Sequence, residues 1–331
     1  MISLANIPRL ALSLAICLTP AFAASPSEWL TWGYDQERTG WNQAETALAP
    51  GNVAQLELKW KAQLPTPSSE VVLSTLTAPL VATVNTPQGP RSRVFVVGSD
   101  NTVYAIDAET GKVTWQRRFP NTLTAKQPAT WLCSNTQNAT PVIEKESGTI
   151  YVSTSDGKLR GLNLVDGEDR MPPVDFTTPF ARNWSLNLID GIIYSSTARG
   201  CGGAMAHFTA LDLKDPSKRT VEFFTSTGRP AGAWGRGGMV RGPKGIYTQT
   251  ADGPYDPAAG FFGNTVMFLN FPSGLNLYYA VQNIASLPQQ WMLSRERAKA
   301  GVGTQATRTS SASGGKNSGS SGGGGGRRVP V

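Results

Sequence analysis

The sequence contains a single histidine, His207, among 331 residues. A Ser-His-Asp triad and a zinc site built on several histidines both depend on imidazole groups, so this scarcity argues against either kind of enzyme. The Cys-x-x-Cys-His motif for haem attachment is also missing. We interpret His207 as an ordinary strand residue without a chemical role.

Charged residues are few, at 16% of the chain, although the formal net charge is +7. Most of that charge comes from the end of the sequence, where seven basic residues from Arg295 onward face one acidic residue, Glu296. The remaining body is close to neutral. It therefore offers no electrostatic footprint for nucleic acid, and we expect no nucleic-acid partner.

Long apolar runs are absent except near the N-terminus, where Leu10–Leu18 is too short to span a bilayer as a helix. Arg9 precedes this run, and the A-x-A sequence Ala21-Phe22-Ala23 follows it. This order predicts a cleaved signal peptide over residues 1–23 and a periplasmic or secreted protein. We expect no transmembrane segment in the mature chain.

Cysteine is scarce, with only Cys17, Cys133 and Cys201 in the chain. Ile16 precedes Cys17 where a lipoprotein signal needs a small residue, which argues against lipidation. The mature chain would keep Cys133 and Cys201, and an oxidising compartment favours a disulfide between them. The alternative is a pair of buried, unpaired thiols.

Internal repetition is the strongest feature that the sequence does contain. The unit over Arg93–Asp107 reads as two β-rich runs joined by a turn at Asp100-Asn101. A turn at Glu109–Lys112 leads to an alternating run, Val113–Gln116. These patterns predict consecutive antiparallel strands joined by short turns.

The same order of strands and turns recurs three more times, each time after a short apolar strand. The later copies begin near residues 139, 186 and 238. A four-stranded unit at this spacing is typical of β-propeller blades, so we predict an all-β propeller of about four blades. A β-sandwich is the alternative. The run Leu56–Leu64 resembles a spare fourth strand, and together these units would form an incomplete ring.

The C-terminal part of the sequence loses this pattern. We place the partial propeller at residues 24–280 and a disordered tail, rich in Ser, Gly and Arg, at 281–331. Ser310–Gly326 is low-complexity sequence that cannot bury enough apolar surface to fold. The tail is either a flexible linker or a foreign end that replaces further blades in a truncated protein.

These motifs resemble the pyrroloquinoline quinone (PQQ) repeat of quinoprotein dehydrogenase-like propellers. Ala105–Trp115 is similar to the repeat A-x-D-x-x-T-G-K-x-x-W. Trp32–Asp35 and Asn52–Leu56 resemble the leading segment of PQQ dehydrogenases, and Thr250–Pro257 resembles their T-G-N-x-x-P-W-N-P segment.

The resemblance implies PQQ and Ca²⁺ as cofactors, with Asp252 at the position of the family's Ca²⁺-binding Asn. Trp234 and Arg236 would then stack on the quinone and pair with its carboxylate. The alternative is that Trp234 packs between blades and Arg236 is solvated. Two departures weaken the dehydrogenase interpretation. The two mature cysteines are not adjacent, and the blades that carry the family's catalytic Asp are missing.

Three functions remain open at this point. The first is an exported binding or scaffold module, or a truncated quinoprotein, without a complete catalytic site. The second is a PQQ- and Ca²⁺-dependent alcohol or sugar dehydrogenase, and the third is an outer-membrane assembly scaffold. The long loops on one face predict a small-molecule site there, and an open propeller edge predicts self-association.

Overall fold

The computed structural model describes residues 28–64, 76–137, 139–198, 200–226 and 231–269. The predicted signal peptide and the predicted C-terminal tail lie outside these residues. The described chain is almost entirely β-structure, with short 3₁₀ turns at Val53–Gln55, Cys201–Gly203 and Pro257–Ala259. No helix in the described ranges is long and apolar enough to cross a membrane.

The strands form successive antiparallel sheets, each made of strands consecutive in sequence. The first sheet contains β1 Leu80–Thr86, β2 Gly89–Val97, β3 Thr102–Asp107 and β4 Val113–Arg118. The second contains β5 Val142–Glu144, β6 Thr149–Ser153, β7 Lys158–Asn163 and β8 Asp169–Asp175. The third contains β10 Asn187–Ile189, β11 Ile192–Ala198, β12 His207–Asp212 and β13 Thr220–Phe224, with β9 Arg182–Asn183 paired to β11.

The fourth sheet has three described strands, β14 Val240–Gly242, β15 Gly245–Gln249 and β18 Val266–Leu269. The connection from β15 to β18 contains a small hairpin, β16 Tyr255–Asp256 and β17 Phe261–Phe262. These sheets confirm the predicted all-β arrangement of four-stranded blades without a closed ring. A fourth strand for this last sheet would follow Leu269, outside the described residues.

The repeated sequence motif builds the same hairpin and turn that it predicts. Arg93 pairs with Asp107 and Val97 with Val103 across the first hairpin. Asn101 adopts a positive φ of 63° at the turn, a conformation that Asn tolerates better than most residues. The Asp107 carboxylate accepts hydrogen bonds from Thr110 N and Thr110 Oγ1, both at 2.8 Å, which closes the next turn.

A tryptophan from one strand packs on the turn glycine of the following sheet. A Cβ atom added to Gly167 would lie 2.8 Å from Trp115 Cε3, and Trp115 Nε1 donates to Leu164 O at 3.1 Å. This contact fixes β4 of the first sheet against the turn between β7 and β8. It explains why glycine is required at that turn, where φ is also positive at 77°.

Trp60 makes the equivalent contact with the turn glycine of the first sheet. Its ring lies over Gly111, and its Nε1 donates to Ala108 O at 2.8 Å. The predicted strand at residues 56–64 is nevertheless wrong, because this run forms no ladder within the described part of the chain. Leu56 and Leu58 are 64% and 83% exposed, so alternating side chains alone did not supply the partner strand that a ladder needs.

The cores lie between neighbouring sheets. Phe95 and Val97 of the first sheet pack with Ile150 and Val152 of the second, all fully buried. A smaller cluster joins the second sheet to the third through Leu159 and Ile193. Burial of this apolar surface is what holds successive sheets together.

The leading segment, residues 28–40, crosses the first strands of all four sheets. Trp29 pairs with Val81, and Leu30 O accepts a hydrogen bond from Ile143 N at 2.8 Å. Arg38 Nη2 donates to Leu186 O at 2.8 Å, and Gln36 O accepts from Arg241 N at 2.9 Å.

Arg38 is the buried anchor of this segment. Burial lowers its pKa to about 10, against a smaller opposing effect of Asp35. The leading segment therefore joins the four sheets along one line and brings Trp32 close to the ends of their first strands.

Candidate functional site

A short segment leads into the first strand of each of the four sheets, and these four segments lie close together. These segments contribute Thr77, Thr140, Ser185 and Arg236 to one cleft, which we call the central cleft. Its volume is about 70 Å³. The remaining lining residues come from the leading segment, the loop before β5 and the segment before β10: Trp32, Leu76, Ala78, Ser134, Thr136, Gln137, Arg182 and Trp184.

Arg182 is the most constrained cation of the central cleft. Its Nη1 donates to Leu132 O at 2.7 Å. Its guanidinium carbon lies 5.2 Å from the Trp184 ring centre and 5.8 Å from that of Trp234. Its Nε is buried without a hydrogen-bond partner. Burial, and to a lesser extent the charge of Arg236, lower the pKa of Arg182 below its ordinary value.

The central cleft carries two positive charges without a nearby negative one. Neither Arg182 nor Arg236 forms an ion pair with any carboxylate of the described residues. Arg236 is exposed at the rim, whereas Arg182 is half-buried. Two adjacent cations in a partly desolvated cleft favour an anionic ligand, because each raises the electrostatic cost of the other.

A disulfide joins Cys133 to Cys201, as the sequence predicted for this pair. It links the loop before β5 to the turn between β11 and β12, which belong to neighbouring blades. The two cysteines are 68 residues apart in the sequence. Gln127 Nε2 also donates to Gly200 O at 3.3 Å across the same pair of loops. The bridge holds Leu132, whose carbonyl binds Arg182, and the following residues Ser134 and Thr136 in place.

Trp234 and Arg236 lie on the segment that enters the fourth sheet, but they face different surroundings. Trp234 is half-buried, with its ring centre 5.9 Å from that of Trp184, and Gln249 Nε2 donates to Trp234 O at 3.0 Å. It lines a second cavity of about 290 Å³ together with Ser196 of the third sheet and Thr248 of the fourth. Trp234 therefore lies between the third and fourth sheets, whereas Arg236 is exposed at the rim of the central cleft.

Asp252 is not brought to either cavity. It lies in the connection from β15 to β18 with a positive φ of 55°. Its backbone N donates to Asn264 Oδ1 at 3.1 Å. Ala251 N donates to Gly232 O at 2.9 Å, so Asp252 lies next to the segment that leads to Trp234, and its predicted role as a Ca²⁺ ligand stays a prediction.

Neither implied cofactor has a preformed site among the residues that the structure describes. Those residues contain no group of three or more His, Cys, Asp or Glu side chains that could hold a metal, so the six to eight oxygen ligands of a Ca²⁺ ion would have to come largely from amide and backbone carbonyl groups. The central cleft, at about 70 Å³, is well below the ~300 Å³ lower range of ligand pockets that hold molecules of drug size. A tricyclic quinone therefore has no preformed place beside Arg182 and Arg236.

His207 belongs to the interior of the third sheet. It is 2% exposed, its Nδ1 donates to Met205 O at 2.7 Å, and its ring centre lies 5.4 Å from that of Phe224. Its Nε2 lies 3.7 Å from Glu222 Oε1. No described serine or cysteine nucleophile pairs with this ring.

Sequence reasoning missed three residues of the central cleft, Trp32, Arg182 and Trp184. A usable signal was present, because Trp184 stands directly before the first strand of the third repeat. Trp32 was part of the leading segment that resembles PQQ dehydrogenases. Thr140 and Ser185 each stand two residues before a first strand, whereas Arg236 stands four residues before β14, so a shared position would have grouped only the first two.

The repeated sheets, the tryptophan–glycine contacts and the leading segment together form an incomplete arrangement of β-propeller blades. A family model for the PQQ repeat, described as outer membrane protein assembly factor BamB, matches residues 49–174. The quinohemoprotein alcohol dehydrogenase ADH-IIG of Pseudomonas putida is 24% identical over 253 residues, covering 69% of this chain and 32% of the relative. These matches confirm the resemblance to PQQ-repeat, quinoprotein-like β-propellers.

Two solved structures with weaker similarity are quinohemoprotein alcohol dehydrogenases. The enzyme from Comamonas testosteroni has a TM-score of 0.44 at 20% identity, covering 63% of this chain and 29% of that one. ADHIIG from Pseudomonas putida HK5 has a TM-score of 0.46 at 19% identity, covering 69% and 35%. This chain thus spans about a third of the length of the curated relative and of these structures.

Proposed function

We propose that this chain is an exported binding module of PQQ-type propeller blades without quinone-dependent catalysis. The central cleft supports this proposal, because Arg182 and Arg236 offer charge to an anion while the described residues offer no metal-ligand cluster. A hard cation is what activates the quinone in the dehydrogenase interpretation. A module with the arginines but without the metal ligands can bind, and it lacks the groups for hydride transfer.

A second function is favoured by the curated relative. An alcohol dehydrogenase matches 69% of this chain at 24% identity, so a PQQ- and Ca²⁺-dependent dehydrogenase is the competing proposal. In that case Trp234 and Arg236 would contact the quinone and Asp252 would bind Ca²⁺. This arrangement would require a larger space beside Arg236 than the cleft of about 70 Å³.

Titration of the purified mature chain with PQQ, with and without Ca²⁺, separates the two functions. We expect no saturable change in quinone absorbance and no Ca²⁺-dependent thermal shift. The Asp252→Ala variant serves as the matched control and should behave as the wild type does. Saturable binding that requires Ca²⁺ and is lost in Asp252→Ala would replace the binding-module proposal with the dehydrogenase.

Export is the part of the proposal that rests on the sequence alone. We expect the mature protein to begin near Ala24 and to appear in the soluble periplasmic or secreted fraction. N-terminal sequencing after cell fractionation measures this directly. Retention in the outer-membrane fraction would favour the assembly-scaffold alternative instead, and an uncleaved cytoplasmic chain would contradict export.

Self-association is a separate proposal that rests on the last described sheet. Val266 is 72% exposed and Phe268 is 43% exposed on strand β18, so apolar side chains face outward there. We propose that this face promotes dimers or larger assemblies. Light scattering across a concentration series should show a rising mass that falls in Val266→Lys, whereas a constant monomer mass would contradict the proposal.

A further inference from the structure

We infer that the central cleft is a binding site for a small planar carboxylate, of the size of formate or acetate. The inference rests on the proposed binding function and names the chemical class of its ligand. It follows from three properties of the site: positive charge without an ion-pair partner, hydroxyl and amide groups in the lining, and a restricted volume.

The positive charge of Arg182 and Arg236 favours an anionic ligand in the cleft. Arg182 has one hydrogen bond, to Leu132 O at 2.7 Å, and a buried Nε without a partner. Arg236 reaches the same cleft from the opposite segment. Guanidinium groups present several N–H donors in a planar fork that matches the two oxygens of a carboxylate. Unused donors of both arginines are thus available to one bound carboxylate.

The surrounding polar atoms extend this donor set. Ser134 Oγ and Thr136 Oγ1 lie 2.7 Å apart at the cleft, where one hydroxyl donates to the other and the accepting hydroxyl keeps its proton for a ligand oxygen. Gln137 is 5% exposed, and its Oε1 is buried without a partner. Gln137 Nε2 donates to Ala139 O, and rotation of the amide would present the NH₂ group to an anion instead.

The volume limits the ligand. A cleft of about 70 Å³ is well below the ~300 Å³ lower range of pockets that hold molecules of drug size. That space suits a carboxylate with one or two carbons and is too small for an aromatic acid. The Arg182 guanidinium lies over Trp184 and near Trp234, at 5.2 and 5.8 Å, which favours a flat ligand in its plane.

The disulfide positions this site without touching the ligand in our proposal. Leu132 precedes Cys133, and the Leu132 carbonyl orients Arg182. Ser134 follows Cys133, so the same bridge places a cleft donor. Loss of the Cys133–Cys201 bond should therefore weaken binding more than loss of a remote stabilising contact with the same effect on thermal stability.

Isothermal titration with formate, acetate and benzoate at constant ionic strength, set with sodium chloride, tests the site. We expect saturable binding of formate and acetate by the wild-type mature chain and none of benzoate. Arg182→Met and Arg236→Met should each weaken formate binding by about tenfold or more, as loss of a charge-assisted hydrogen bond predicts. Arg236 is exposed, so its variant should fold even where Arg182→Met does not.

Arg219→Met is the matched control. Arg219 is an exposed arginine of the turn between β12 and β13, bonded to Ser217 Oγ and remote from the cleft lining, and its removal changes the net charge equally. Unchanged formate affinity in this variant supports a defined site. Equal weakening in all three variants, absence of saturable heat, or benzoate binding as tight as formate overturns the inference. Ca²⁺-dependent PQQ binding would instead overturn the proposed function, so the two failures are distinguishable.

Discussion

The interface between the first and second sheets and the interface between the third and fourth are built from different side chains. Phe95, Val97 and Ile150 are fully buried in the first. The second contains Trp234, the buried but unpartnered Ser196 hydroxyl and a cavity of about 290 Å³. The first interface is therefore closely packed with apolar side chains. The second leaves a cavity, polar groups and arginines.

The turns between the third and fourth strands show the same contrast. Gly111 and Gly167 each receive a tryptophan ring in the first and second sheets. The corresponding turn of the third sheet, between Asp212 and Thr220, has no glycine, and Lys218 takes the positive φ instead, at 49°. At this turn the third sheet therefore lacks the tryptophan–glycine contact that is present in the first two sheets.

The largest effect on this contrast should come from Trp115→Ala. The change removes the ring from Gly167 and the hydrogen bond to Leu164 O, and leaves a cavity beside Phe95. We expect a loss of about 3 kcal/mol in the free energy of unfolding, measured by urea denaturation. Trp131→Ala, at a ring that is 70% exposed, should change stability by less than about 0.5 kcal/mol. Equal losses would show that the tryptophan–glycine contact does not fasten the sheets.

The paired substitution Cys133→Ser and Cys201→Ser should rank next. It removes a cross-link between two loops that are 68 residues apart in sequence, which we expect to cost about 2–4 kcal/mol. The same variant should lose formate binding, because Leu132 no longer holds Arg182. Full retention of formate affinity in a folded variant would show that the disulfide stabilises the protein without shaping the cleft.

Gly167→Ala and Gly260→Ala separate steric fit from backbone strain. The two glycines have nearly equal φ values, 77° and 75°, but a Cβ on Gly167 meets Trp115 whereas a Cβ on Gly260 meets nothing within 4 Å. We expect Gly260→Ala to cost about 1 kcal/mol from strain, and Gly167→Ala to cost about 1–3 kcal/mol more from the forced shift of Trp115. Equal losses in thermal denaturation would mean that the ring yields freely.

The smallest expected effect on stability comes from two adjacent serines on β11, which differ in whether their hydroxyl groups are hydrogen-bonded. Ser195 Oγ donates to Trp184 O at 3.2 Å, whereas the Ser196 Oγ has no partner. Ser195→Ala should cost about 1 kcal/mol, and Ser196→Ala should be neutral or slightly stabilising because it removes an unsatisfied buried hydroxyl. A larger loss in Ser196→Ala would indicate an ordered water in the neighbouring cavity.

The fold was largely readable from the sequence, because strand alternation and turn residues act locally. The hairpin over Arg93–Asp107 and the turn that Asp107 closes lie where the motif predicts them. The predicted strand at residues 56–64 failed, since its partner could not be inferred from alternation. The disulfide pairing was accessible because only two cysteines lie outside the predicted signal peptide.

The site was only partly readable, because it depends on contacts between distant segments. Arg236 was named from the sequence and does line the central cleft. Arg182 was not named, and its importance comes from Leu132 and the tryptophan rings, which no local pattern reveals. Asp252 was grouped with Arg236 by family resemblance; it is not among the residues that line the central cleft, and its role stays a prediction.

The most direct test is one thermal-shift experiment on the wild-type mature chain and Arg236→Met, each with formate and, separately, with PQQ plus Ca²⁺. We expect formate to raise the melting temperature of the wild type and not of the variant, while PQQ plus Ca²⁺ leaves both unchanged. A PQQ- and Ca²⁺-dependent rise in the wild type, with no response to formate, would contradict the account and indicate a quinone site.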